Sequence, residues 1–141
     1  MKPASDLIAA ITEIAEDVYR ELGSGHLESP YQKAMEVGLR HKGIKFEAQK
    51  VSEIKYQETY VGECNLDLLV DKRVIVELKA AGQPNGGPDQ QQLEKYMRLF
   101  KIRTGMLINF TKLRRTKNAE PIPDKPEITI VSGKKSRQVL R

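Results

Sequence analysis

The stretch from Asn65 to Lys79 constrains this chain more than any other. Two apolar, partly β-branched runs, Leu66-Asp67-Leu68-Leu69-Val70 and Val74-Ile75-Val76-Glu77-Leu78, flank the polar Asp71-Lys72-Arg73, the pattern of a β-hairpin. Asp67, Glu77 and Lys79 interrupt the apolar runs, although an unpaired buried charge is costly. With a three-residue loop, Val70 faces Val74, Leu68 faces Val76 and Asp67 lies across from Glu77. One face then collects Leu66, Leu68, Val70, Val74, Val76 and Leu78, and the other collects Asn65, Asp67, Leu69, Ile75, Glu77 and Lys79. A two-residue loop would oppose Asp67 to Val76 and scramble both faces, so the clean split favours three. Such loops prefer a glycine at their left-handed position, and none is present. Like charges directly opposed are destabilising, and a divalent cation is the usual remedy.

The chain around this hairpin is that of an ordinary globular domain. Its 141 residues, 39% hydrophobic and 30% charged, fit one core. We expect one domain over residues 1–131 and a basic, flexible tail over 132–141. No apolar run is long enough to span a membrane, the N-terminus lacks a secretory h-region, and a single cysteine excludes an internal disulfide. Cytoplasmic residence is the default expectation. The net charge of +5 favours polyanionic partners.

Periodicity supplies the remaining elements. Leu7, Ile8, Ile11, Ile14, Ala15, Val18 and Leu22 mark an amphipathic helix that Gly23 stops. Ser29 reads as the cap of a second helix, with Pro30 first in the helix and Gln32 completing a capping box. Tyr31, Ala34, Met35 and Leu39 point its apolar side inward, and Gly43 ends it. An extended region from Ile44 to Tyr56, a turn at Gln57-Glu58-Thr59 and a strand from Tyr60 lead into the hairpin. Gly82 to Pro88 reads as a mobile loop placed to gate a substrate. A third helix spans about Asp89 to Lys101, a buried strand covers Gly105 to Phe110, and a last strand runs from Glu127 to Val131. A hairpin, a helix and a further strand imply a mixed sheet in an α/β (α+β) domain.

Two carboxylates with a lysine beside them suit a hard cation, since magnesium is typically held by one or two carboxylates plus substrate phosphates. A metal-bound water becomes a nucleophile near neutral pH, and a fixed ammonium stabilises developing phosphate charge. Metal-assisted phosphodiester hydrolysis is the matching reaction class. The alternative is a structural pair bridged by Lys79 or Arg73. His26 and His41 lack partners at ligand spacing, and Cys64 reads as a small buried hydrophobe.

Further residues narrow the reading. Gln92 and Tyr96 stand four apart on the third helix and share a face. The order of helix, hairpin with Asp and Glu-Leu-Lys, helix with Gln-x-x-x-Tyr, and strand resembles the PD-(D/E)xK nuclease superfamily, with its restriction-endonuclease-like αβββαβ core and RecB-type branch. Gly25-His26-Leu27-Glu28-Ser29-Pro30-Tyr31 resembles the signature of its GxxExxY group, and the likeness runs from about Ile8 to Phe110. Leu66 stands where the superfamily name has proline.

The resemblance implies Asp67, Glu77 and the Leu78 backbone carbonyl as ligands of Mg²⁺ or Mn²⁺, and Lys79 as the catalytic lysine. It implies Glu28 as a further acid at the metal, Gln92 as an orienting group, and Tyr96 and Tyr31 as supports. DNA rather than RNA is the implied substrate, a homodimer the implied assembly, and Lys112, Arg114, Arg115 and Lys117 a phosphate-contacting run. A non-catalytic module binding nucleic acid or protein on the same fold is the competing expectation.

Overall fold

The computed structural model describes residues 4–80, 82–111 and 125–133. The elements are α1 (Ala4–Leu22), α2 (Glu28–His41), β1 (Phe46–Tyr56), β2 (Thr59–Val70), β3 (Val74–Lys79), α3 (Gly87–Phe100), β4 (Thr104–Asn109) and β5 (Glu127–Ser132). The strands form one sheet in the order β1-β2-β3-β4-β5, antiparallel except for the parallel pair β3–β4. A parallel pair cannot be joined by a tight turn, so α3 serves as the crossover. The mixed sheet expected from the chain order is what forms.

Helices cover both faces. Leu7, Ile11, Ile14, Ala15 and Val18 of α1 and Tyr31, Met35 and Leu39 of α2 pack on Leu68, Val70, Val74, Val76, Leu78, Met106, Ile108 and Phe110. The stripe of α1 stops short of Leu22, which is exposed. Gly23 ends that helix at φ +71°, its N–H donating to the Tyr19 carbonyl at 2.8 Å. On the other face, Leu93 and Met97 of α3 pack on Leu66, Leu69, Ile75, Leu107 and Val131. No described helix is long and apolar enough to cross a membrane.

The central hairpin has the register its alternation predicts: Val70 pairs with Val74, Leu69 with Ile75 and Leu68 with Val76. Its loop is Asp71-Lys72-Arg73, closed by the Arg73 N–H on the Val70 carbonyl at 2.9 Å. Asp71 and Lys72, at φ +53° and +56°, take the left-handed conformations that glycine would otherwise supply.

Four expectations need correction. Leu66 does not join Leu68 on the α1/α2 face; it packs with Leu69 and Ile75 under α3. Residues an odd number apart share a side only where alternation breaks, and the break falls at Asp67. Between Ala48↔Leu68 and Lys50↔Leu66, Gln49↔Asp67 is the missing rung of the β1–β2 ladder, and Gln49 stands at φ +51°. The second correction concerns α2, which begins at Glu28 with Leu27 as its N-cap and no side-chain cap bond. The Ser29–Gln32 capping box therefore does not form. Gln32 turns inward instead and donates to the part-buried backbone oxygen of Asp67.

Third, the turn between β1 and β2 is the two-residue Gln57-Glu58, both at positive φ, and Thr59 already pairs with Tyr56. Fourth, the Gly82–Pro88 connection is tied down where its composition suggested mobility. Asn85 donates its backbone N–H to Glu127 Oε1 at 2.7 Å and its side-chain amide to Thr129 Oγ1 at 3.0 Å, while buried Asn109 donates to the Gln83 carbonyl at 2.6 Å. β5 extends through Ser132, and the basic tail from residue 134 lies outside the described residues.

Candidate active site

The ionisable residues of the hairpin gather where β2 and β3 part. The β2–β3 ladder stops at Leu68–Val76, one step before Asp67 would face Glu77. Beyond it the Asp67 carboxylate takes over as acceptor, its Oδ2 receiving the Leu78 N–H at 2.8 Å. A side chain thus does the work of a strand carbonyl, which fixes the carboxylate against β3. Glu77 is buried, 9% exposed, and its Oε1 has no hydrogen-bond partner. An unsatisfied buried acceptor costs on the order of 1–3 kcal/mol.

Burial pushes the Glu77 carboxyl up to about 9, and the neighbouring Asp67 adds to the shift by charge and by a side-chain hydrogen bond. The Asp67 backbone and Lys79 pull the other way without cancelling it. Glu77 therefore holds its proton at neutral pH as the protein stands, the usual outcome when two carboxylates share a site.

Three further groups reach this pair. Glu28, in the first turn of α2, has its carboxyl raised by burial and by the charge of Asp67, with Lys79 opposing. The Tyr96 phenol on α3 is raised by burial first and then by Glu77, Cys64 and Asp67. Lys79 faces the third helix: its Nζ lies 3.7 Å from Asp89 Oδ1, both side chains being about a third exposed. Asp89 also accepts the Gly86 N–H at 3.2 Å, so it caps α3 as well as meeting the lysine.

Gln92 is exposed on α3 and, among the described residues, makes no hydrogen bond to the acids. Tyr31 packs in the core on the α1/α2 side. It is fully buried, donates its hydroxyl to the Gly23 carbonyl at 2.6 Å and stacks on Phe110 with ring centroids 4.3 Å apart. His26, which lacks partners at ligand spacing in the sequence, is exposed; its ring packs edge-on against Tyr31, and its Nε2 lies 3.0 Å from the Leu22 carbonyl. Cys64 is a free, buried thiol. Lys112, Arg114, Arg115 and Lys117 lie outside the described residues.

Sequence reasoning missed Gln32 and Asp89. Gln32 is 9% exposed and donates its amide to the Asp67 carbonyl and to Glu36 Oε2, each at 2.9 Å. A signal existed in the spacing, since Glu28, Gln32 and Glu36 recur every four residues along one side of α2. For Asp89 the signal was an acid at the start of a helix, which reads equally well as a cap alone.

Among the described residues, no group of three or more His, Cys, Asp and Glu side chains stands as a ready-made metal site. The donors present nevertheless fit a hard cation. Asp67 and Glu77 bring two carboxylates together, and the unpartnered Glu77 oxygen is an acceptor that a cation would satisfy. Positive charge at that point would also release the Glu77 proton.

Residues 5–120 match the sequence profile of the PD-(D/E)XK nuclease superfamily. The chain belongs to that superfamily. The crystal structure of SSO0001 is similar over 77% of this chain, with a TM-score of 0.52 and 18% identity, and at that distance it speaks for the fold alone. This chain spans 50% of that one. An alkaline exonuclease, LHK-Exo from Laribacter hongkongensis, aligns over 95% of this chain and 72% of its own, with 13% identity and a TM-score of 0.45. No curated protein matches.

Proposed function

We propose that this chain is a metal-dependent nuclease hydrolysing phosphodiester bonds of DNA, of the GxxExxY group within its superfamily. The observation that carries the reading is the Asp67–Glu77 pair, which sets a buried, unpartnered carboxylate oxygen beside a second acid where the hairpin opens. Asp67, Glu77 and the Leu78 carbonyl would hold Mg²⁺ or Mn²⁺, with Glu28 as an outer acid. Held by these residues, such a cation would supply a water of lowered pKa and offset charge on the scissile phosphate.

The protein's own groups do the rest. Leu78 N–H holds the Asp67 carboxylate in place. Lys79 leaves Asp89, an ion pair of little strength at this exposure, and directs its ammonium to the attacking water and the phosphate. Tyr96, close to Glu77, closes the site from α3. Gln92, exposed one turn earlier, orients the substrate phosphate, and Tyr31 keeps the start of α2 in position. The run from Lys112 to Lys117 contacts the phosphate backbone, consistent with the net charge of +5. We further assign it a cytoplasmic location and a homodimeric working form.

The test is cleavage of single- and double-stranded DNA and of RNA, with Mg²⁺, with Mn²⁺ and with EDTA. Metal-dependent DNA cleavage that Lys79→Ala abolishes supports the proposal. Metal-independent binding that survives Asp67→Ala, without cleavage, would make the chain a binding module instead.

A further inference from the structure

Asp67 occupies an unusual stretch of backbone. Its rung with Gln49 is the one missing from an otherwise continuous run between Phe46↔Val70 and Ile54↔Gly62, and the face alternation of β2 breaks at the same residue. A strand residue that leaves its ladder abandons a carbonyl that water or another donor must satisfy. Here the donor is the buried amide of Gln32, 35 positions earlier in the chain, at 2.9 Å. The same Nε2 is held by Glu36 Oε2 at 2.9 Å, so Gln32 is itself fixed from behind.

We infer that Gln32 is a positioning residue for the acidic site: it stitches the Asp67 carbonyl to α2 and so sets the kink that aims the Asp67 carboxylate at the Leu78 N–H. The two ends of Asp67 are then both anchored, the carbonyl on α2 and the carboxylate on β3. One turn before Gln32, Glu28 stands within electrostatic reach of the same carboxylate. A single side of α2 therefore serves both halves of one residue. Gln32 touches no reacting atom. Its role in catalysis rests on the nuclease reading above, but its role in positioning Asp67 does not.

Gln32→Glu keeps the shape and removes the donor; Gln32→Lys restores a donor that Glu36 can pair. In the metal-free protein, hydrogen exchange at the Leu78 amide reads the Asp67 contact directly. We expect Gln32→Glu to speed that exchange about tenfold, the loss of one hydrogen bond, with Ile108 and Met106 amides unchanged and Gln32→Lys recovering most of the protection. Mn²⁺ binding, measured by calorimetry on the full chain, should weaken about 10-fold to 100-fold in Gln32→Glu. Unchanged Leu78 exchange in both variants would overturn the inference. So would a uniform rise in exchange across β3 and β4, which would make Gln32 a general packing residue. Should Leu78 respond while no variant or parent cleaves DNA, the positioning role stands and the nuclease reading falls.

Discussion

The two faces of the sheet differ in kind. On the α1/α2 side the buried residues run as one apolar cluster from Leu7 on α1 to Phe110 after β4, with the polar Gln32 of α2 buried at its edge. On the α3 side a smaller apolar cluster shares the space with Glu77, and Asp67, Lys79, Tyr96 and Asp89 lie in reach. The first face, Gln32 apart, excludes water. The other has to exclude water while keeping a protonated carboxyl and an unpartnered oxygen, an arrangement that lowers stability and that a cation would relieve. The larger apolar core and the acidic cluster thus lie largely on opposite sides of a single layer of strands, with α2 reaching the acids through Gln32 and Glu28.

The sharpest way to break this division is to change one face and look for effects on the other. Asp67→Asn should lower metal-dependent cleavage on the order of a thousandfold, the scale of losing a group that stabilises transition-state charge, while leaving the unfolding midpoint nearly unchanged. Leu39→Ala, fully buried on α2, should do the reverse. It should cost about 3 kcal/mol in chemical denaturation and leave Mn²⁺ affinity within about twofold. A stable Leu39→Ala protein that had lost its metal affinity would show that the faces are coupled.

Acid should favour the metal-free fold. With Glu77 raised to about 9 from an ordinary 4.5, the folded protein binds a proton that the unfolded chain has released. This contribution is complete below pH 4.5 and disappears as pH rises towards 9. Roughly 3 kcal/mol of it should be gone by pH 7. Glu28 shifts in the same direction. Denaturation at several pH values should show this slope, Glu77→Gln should flatten it, and saturating Mn²⁺ should reduce it by holding Glu77 ionised.

The smallest expected effect compares two glycines. A Cβ on Gly38 of α2 would collide with Cγ2 of Ile14, a stiff β-branched side chain, whereas one on Gly105 of β4 would meet Met97 Sδ at 2.8 Å and Leu93 Cδ1 and Cγ at 2.9 Å, in side chains not branched at Cβ. Gly38→Ala should lose about 2 kcal/mol despite its better helix propensity, and Gly105→Ala about 1 kcal/mol. Equal losses in thermal unfolding would remove the distinction in packing between the faces.

The hairpin was legible because period-two alternation and loop length fix register locally, and its pairing follows. The helices were legible from their stripes. Gln32 was misread for a physical reason: Ser29, Pro30 and Gln32 offer a nearby partner scheme, while the true acceptor, the Asp67 carbonyl, is distant in sequence and orphaned only by a break in the strand. The anchoring of Asn85 on Glu127 and Thr129 is similarly nonlocal. Spacing alone could bring Asp67 and Glu77 together. The partner of Lys79 depended on where the end of α3 settles, and nothing in the Glu-x-Lys pattern names Asp89.

The parallel β3–β4 pair also bears on the order of assembly. β1, β2 and β3 can zip together as soon as they exist, since each meets its neighbour through a short turn. β4 must wait for a crossover that includes all of α3 before Glu77 aligns with Leu107, and closing such a loop costs entropy before any contact repays it. Until then Glu77 lacks its cover from α3 and β4, and water can still serve its carboxylate. The expensive burial of that acid comes with the docking of α3 and β4, the step that also brings Met106, Ile108 and Phe110 into the apolar core.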